Sequence, residues 1–109
     1  MQDMGEQAIL TALKVDLQIS TSAMDTYLGQ LITTARSYIS QEGITLTESV
    51  DDGMLVEMYA AYLYRRRREE NVQMPRMLRW ALNNRIFGEF QSTLPVWGAT
   101  DGRVDGLLV

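Results

Sequence analysis

A run of four arginines is the strongest candidate for a binding site in this sequence. Arg65 to Arg68 supply four of the chain's ten basic residues, and guanidinium groups bind both phosphates and protein carboxylates. Successive residues of a helix lie about 100° apart, so four consecutive arginines point around most of a helix. A helix that reads a DNA groove instead needs its basic residues on one face. The spacing therefore favours a solvated helix end first, a protein contact second and direct DNA binding last.

Acidic residues follow the arginine run at a distance of one helical turn. Arg65 and Arg66 precede Glu69 and Glu70 by four residues, a spacing that allows weak ion pairs along a helix. Cations near a helix C-terminus also interact favourably with the helix dipole. The first two arginines continue the apolar spacing that precedes the run. The sequence leaves open whether they reach inward or into a neighbouring molecule while the last two stay in solvent.

Few other residues could support chemistry. The chain has neither Cys nor His, which excludes disulfides, thiolate nucleophiles, Cys/His zinc sites and Ser-His-Asp triads. Asp51 and Asp52 are adjacent, but they open a predicted helix whose dipole explains them. Residues 101–106, DGRVDG, depart from a calcium loop because Arg103 occupies the third position. We therefore expect no enzymatic activity, no metal site and no cofactor.

Length and charge narrow the class of protein further. The 109 residues, 46% of them hydrophobic, suit one compact domain with a modest core. The net charge of -4 and the pI of about 4.7 argue against nucleic-acid binding, which depends on Lys and Arg. No basic and apolar leader opens the sequence, and no apolar run approaches the roughly 18 residues that cross a bilayer. These features favour a soluble protein made in the cytoplasm, without membrane contact.

Two helices are predicted in the first half of the chain. The first covers about residues 5–14. The second covers about residues 23–41, with Ser22 as its N-cap because an acidic residue follows three positions later. Gly43 lies where a helix commonly ends in a left-handed residue. Apolar residues recur every three or four positions along the second helix and form its predicted buried stripe: Met24, Tyr27, Leu28, Leu31, Ala35, Tyr38 and Ile39.

Two more helices are predicted after an irregular connection. Ser49 with Asp52 gives a start signal for the third, which runs to about Glu70. Its predicted inner stripe is Leu55, Met58, Ala61 or Tyr62, and Arg65. The fourth covers about residues 75–87, with Pro75 at its first position and Gly88 at its end. Its predicted inward residues, with Trp80 to one side, are Met74, Leu78, Ala81, Leu82 and Ile86.

The composition changes after Gly88. Asp101-Gly102 signals a tight hairpin turn, and the segment is too apolar for an ordinary disordered terminus. The sequence thus predicts an all-α fold, with a bundle of about four helices in residues 1–88. An extended or hairpin-like arm follows in residues 89–109. It either folds back on the bundle or packs against another subunit, and the second arrangement is favoured because the four helices already have mutual partners. The candidate contact residues are Arg65, Arg66, Arg67, Arg68, Phe90, Leu94, Val96, Trp97, Leu107 and Leu108.

The order of these segments resembles the head-tail connector, or DNA-packaging adaptor, proteins of long-tailed double-stranded DNA phages. The resemblance covers about residues 8–88. It includes a short helix ending in LKVD, then YLGQLITTARSYISQEG, MLVEMYAAYLYRRRREEN and the Pro-led PRMLRWALNNRIFG. Order and spacing carry the resemblance, and no single motif does. The stretch through Trp97 departs from the short tail containing Pro and Arg that is typical of the family. The run of four arginines also contains more arginines than is expected for this family.

The resemblance implies a structural protein of the virion neck, made in the host cytoplasm. Such proteins form a ring, commonly of twelve copies, beneath the portal protein. The ring extends the DNA channel and links the filled head to the next neck or tail-completion protein. DNA passes through the lumen without sequence-specific binding, and an acidic protein suits this because it does not hold phosphates. The arm and the arginine run are expected at subunit or portal interfaces.

Two other functions remain open at this stage. One is a small nucleic-acid-binding regulator, in which the third and fourth helices form a helix-turn-helix. Arg76, Arg79 and Arg85 favour it, together with the arginine run. The acidic net charge and a connection unlike the usual tight turn oppose it. The other is an adaptor that binds one protein partner as a monomer or dimer.

Overall fold

The described part of the chain is a bundle of four α-helices, which confirms the predicted all-α fold. The computed structural model describes residues 5–93, and their side chains through residue 89. A short 3-10 turn, Ser22–Met24, precedes the second helix. The helices are α1 (Glu6–Leu17), α2 (Asp25–Gln41), α3 (Val50–Arg68) and α4 (Arg76–Thr93).

Helix α3 forms the centre of the bundle, because α1, α2 and α4 all pack against it. Its buried side chains therefore lie on several sides of the helix and include Val56, Tyr59, Ala60 and Leu63. The single inner stripe predicted for α3 was too narrow. Of its members Leu55 and Ala61 are buried, Met58 and Tyr62 are half-buried, and Arg65 is exposed.

The apolar stripes predicted for the outer helices α2 and α4 are confirmed in most positions, but Tyr38 of α2 is exposed and the buried Ile32 was not part of the predicted stripe. Each of these helices packs on α3 through one face, so the helical period predicts which side chains are buried. In α4, Leu78 and Leu82 are fully buried, whereas Trp80 faces away from the core. In α2 the buried residues are Leu28, Leu31, Ile32, Ala35 and Ile39.

The start of α3 was predicted correctly. The Ser49 hydroxyl accepts a hydrogen bond of 3.2 Å from the backbone N–H of Asp52, so Ser49 is the N-cap. The C-terminal end was placed two residues too late. Glu69 is already extended, and Asn71 adopts a positive φ of 63° in the connection to α4.

The ends of α1 and the start of α2 differ from the predictions. Helix α1 continues to Leu17, where left-handed Gln18 caps it by donating its N–H to the carbonyls of Lys14 and Val15. Ser22 is not an N-cap. The Thr21 hydroxyl accepts the Ala23 N–H at 3.2 Å and starts the 3-10 turn that leads into α2.

Gly88 does not end α4, which continues to Thr93. Gly88 lacks a positive φ, so its backbone fits a helix at a cost of about 1 kcal/mol relative to Ala. The following Glu89 accepts hydrogen bonds from Arg85 Nη1 at 3.1 Å and from the Thr45 N–H at 3.2 Å. Residues 89–93, predicted to belong to the arm, are helical. The rest of the predicted arm lies outside the described residues.

Gly43 follows α2 with a φ of +101°, as predicted from its position. We expect Gly43→Ala to lower the free energy of unfolding by about 1 kcal/mol or more, because an L side chain is strained at this φ. Gly29→Ala is the matched control inside α2, where an added Cβ meets no atom within 4 Å. It should raise stability by about 0.5–1 kcal/mol. Urea unfolding of both variants tests this, and equal effects would contradict it.

Candidate functional site

The arginine run forms two stacks on tyrosines at the C-terminal end of α3. The guanidinium carbon of Arg66 lies 5.6 Å from the centroid of the Tyr62 ring, and that of Arg68 lies 5.2 Å from the Tyr64 ring. Both pairs are four residues apart, so the helix itself brings them together. The ring contacts hold the two guanidinium groups in place. Arg66 Nη1 also donates to the Tyr62 hydroxyl at 3.5 Å. Arg66 is exposed and does not reach into the core of its own bundle, which leaves contact with a neighbouring molecule as the other alternative.

Arg65 has a different partner from the one predicted. Its Nη2 donates to Asp16 Oδ1 of α1 at 3.2 Å. The predicted pair with Glu69 fails because α3 ends at Arg68, and Glu69 therefore leaves the helical path. The pair predicted for Arg66 with Glu70 fails for the same reason. Arg67 has no ion pair within residues 5–89, and it is the member of the run most available to another molecule.

Behind Arg65 lies a pair of carboxyl groups that sequence reasoning missed. Glu57 of α3 is only 4% exposed and its Oε2 has no hydrogen-bond partner among the described residues. Burial, reinforced by a hydrogen bond to Asp16 and its charge, raises the pKa of Glu57 to about 8. Hydrogen bonding with Glu57, helped by Arg65, lowers the pKa of Asp16. At neutral pH Glu57 is therefore the neutral donor and Asp16 the carboxylate.

A surface cleft of about 380 Å³ opens beside this pair, between the end of α1 and the end of α3. Its walls carry both signs of charge, from Asp16 and Glu69 on one hand and from Arg65 and Arg68 on the other. Two acidic and two basic groups offset each other, so the cleft favours neither an anion nor a cation. It fits a mixed polar contact with another protein better than a small charged ligand.

Asp52 is a second buried carboxylate, and it joins α3 to α4. Arg85 donates to both its oxygens, at 3.1 Å from Nε and 3.0 Å from Nη2, and Thr47 donates its N–H and hydroxyl, each at 2.8 Å. Burial alone would raise the pKa of Asp52, but these hydrogen bonds outweigh burial and lower it. The helix dipole therefore does not account for Asp52, although it suffices for the exposed Asp51.

The arginines of α4 are largely occupied by contacts within the bundle. Arg79 binds both oxygens of Glu42 at 3.1 Å, and Arg85 binds Asp52 and Glu89. Two of the three α4 arginines that favoured DNA binding are thus engaged. Arg76 is exposed and has no ion pair within the described part of the chain.

The remaining predicted contact residues belong to the C-terminal part of the chain. Phe90 lies in α4, but its side chain is not among those described. The others, Leu94, Val96, Trp97, Leu107 and Leu108, lie outside the described residues. Of the predicted contact residues, the described part of the structure brings together only the four arginines.

The described residues contain no group of three or more acidic side chains placed to hold a metal ion. Among the described helices, none is both long enough and apolar enough to cross a membrane. The fold and these sites define a small all-α bundle with a cationic, aromatic helix end. Comparison of the chain with protein-family models, curated proteins and solved structures finds no match.

Proposed function

We propose that this protein is a structural head-tail connector that forms a ring beneath the portal protein of a long-tailed phage. The observation that carries the proposal is the end of α3, where exposed arginines stack on Tyr62 and Tyr64. Arg and Tyr are enriched at protein interfaces. Tyr buries a large area with few rotatable bonds, and Arg supplies a planar group with five donors. This surface lies on a bundle whose helix order resembles the connector family.

The charge of the chain supports a role beside DNA without tight binding to it. The net charge is -4, and the arginines at positions 65, 79 and 85 are neutralised by carboxylates. A channel through which DNA slides must not hold phosphates strongly, because each bound phosphate adds salt-dependent affinity. An acidic ring meets that requirement.

The second candidate, a helix-turn-helix regulator, is favoured by the arginines that have no ion pair among the described residues: Arg66, Arg67, Arg68 and Arg76. Seven residues, 69–75, separate α3 from α4, whereas a helix-turn-helix usually has a turn of three or four residues. Duplex DNA binding at physiological ionic strength, weakening steeply with salt, would support this candidate over the connector. An adaptor with one protein partner is the third candidate. Mass measurement alone and with portal protein distinguishes it from a ring.

Assembly of the full chain with portal protein from the same genome tests the proposal. We expect Arg67→Glu to reduce incorporation into portal complexes about tenfold or more, since it places a carboxylate in a contact that needs a cation. Arg36→Glu is the control, because Arg36 lies on α2 and makes only a 3.4 Å surface pair with Glu6. Equal incorporation of both variants would contradict a role for the α3 end.

Truncation after Thr93 tests the contribution of the C-terminal arm. Truncation after Gly88 would also remove Glu89 and its bonds to Thr45 and Arg85, so the later site is cleaner. We expect a folded helical chain, by circular dichroism, that no longer joins the neck. Complete particles containing the truncated chain would argue against an essential arm.

A further inference from the structure

The outward face of α4 carries three large apolar side chains. Met77 is 69% exposed, and Trp80 and Phe87 are each 60% exposed. Their spacing of three and seven residues places them on one side of the helix, about 180° from the buried Leu78 and Leu82. We call these three residues the α4 outer stripe.

The size of the outer stripe indicates that something covers it. Aromatic side chains bury about 150–250 Å² each when they are packed. Exposed apolar patches beyond a few hundred Å² usually mark an interaction site. Singly exposed residues elsewhere, such as Val15 on α1, need no such explanation.

We propose that the outer stripe binds the chain's own C-terminal segment, residues 94–109. This segment follows Thr93, the last described residue of α4, and Pro95 at its second position disfavours continuation of the helix. It is rich in apolar residues: Leu94, Val96, Trp97, Val104, Leu107, Leu108 and Val109.

The lengths match an antiparallel return along α4. Phe87 lies about 9 Å from Thr93 along the helix axis. About three extended residues span that distance, which brings Val96 or Trp97 beside Phe87. The whole segment has a reach of about 50 Å, roughly twice what it needs to pass Met77.

Charge complementarity supports an antiparallel return of the segment along α4. Arg76 flanks the outer stripe, is exposed, and has no ion pair within the described residues. It lies about 26 Å from Thr93, a distance that about eight extended residues cover. The eighth residue of the segment is Asp101, whose carboxylate is suited to pair with Arg76.

Binding within one chain is favoured over binding to a second copy. A segment tethered directly to the end of α4 has an effective concentration of about millimolar at the stripe, far above the protein concentration in dilute solution. This inference does not depend on the connector function. It holds for a monomer of any role.

Fluorescence of Trp80 tests the proposal in the full chain. Trp97→Phe leaves Trp80 as the sole tryptophan and retains an aromatic ring in the segment. Adding Phe87→Glu, about two helical turns from Trp80, should release the segment. We expect acrylamide quenching of Trp80 to rise about twofold with a red-shifted emission, since the indole then loses its cover. Val96→Glu should reproduce this from the segment's side.

Val15→Glu in the same background is the matched control, because Val15 is 73% exposed but lies on α1. It should leave Trp80 quenching unchanged. Unchanged quenching in both the Phe87 and Val96 variants would overturn the proposal. So would protection of Trp80 that appears only as protein concentration rises together with a dimer mass, because the occupant would then be a second copy. Both results are obtained without portal protein. The connector proposal is tested separately, by incorporation of the Arg67 variant into portal complexes.

Discussion

Replacing Arg85 by Met should lower the free energy of unfolding by about 3–5 kcal/mol, one of the two largest effects expected for this protein. Arg85 donates to both oxygens of Asp52 and also to Glu89 and to the Thr45 carbonyl, at 2.8–3.1 Å. Its loss leaves the Asp52 carboxylate, which is 4% exposed, without a charged partner. Chemical denaturation at pH 7 gives the measurement.

Arg79→Met is the matched control on the same helix. Arg79 pairs with Glu42 through two bonds of 3.1 Å, but both groups are partly exposed, so its loss should cost less than about 1 kcal/mol. Adding Asp52→Asn to the Arg85 variant should recover part of its loss, because the buried charge is removed. Similar losses of stability for the two arginine variants would show that burial of Asp52 does not determine the cost of removing Arg85.

Replacing Glu57 by Gln should remove a large pH dependence of stability. The Glu57 carboxyl keeps its proton in the folded state up to a pKa of about 8, whereas the unfolded chain releases it near 4.5. Between these values the folded state holds one more proton, so stability falls as pH rises, by about 1.4 kcal/mol per unit. We expect the Gln variant to be more stable than wild type at pH 8 by several kcal/mol.

Denaturation midpoints from pH 5 to 9 measure this difference. The lowered pKa values of Asp16 and Asp52 do not interfere, because those groups titrate below their ordinary value of 3.8. Glu48→Gln, an exposed substitution just before α3, is the control and should keep the wild-type slope. Parallel profiles for wild type and the Glu57 variant would mean that Glu57 is already ionised in the folded protein.

The sequence predicted the outer helices better than the central one. A helix such as α2, which packs through one face, buries residues at the helical period. The burial of Leu28, Leu31 and Ile39 could therefore be predicted from spacing alone. Helix α3 is surrounded by three neighbours, so its buried residues follow no single stripe. Gly88 was wrongly taken as an end, since a glycine stops a helix only when the backbone actually adopts a left-handed turn there.

The candidate site was only partly predictable. The spacing of Tyr62 with Arg66 and of Tyr64 with Arg68 is visible in the sequence, because both partners belong to one helix. The contact between Arg65 and Asp16 joins residues 49 positions apart, and no local pattern marks it. The only local signal for Glu57 is a single acidic residue within the apolar stretch MLVEMYAAYL.

The sequence by itself determined the all-α class, the four helices, the N-cap at Ser49 and the residues that α2 and α4 bury. These depend on interactions within a few residues, which the order of side chains specifies directly. The tertiary structure alone decided that Asp52 and Glu57 are buried, that Arg85 and Arg65 pair with distant carboxylates, and that the outer stripe of α4 faces away from the core. Burial and long-range pairing depend on which helices become neighbours, and helix periodicity does not encode that choice.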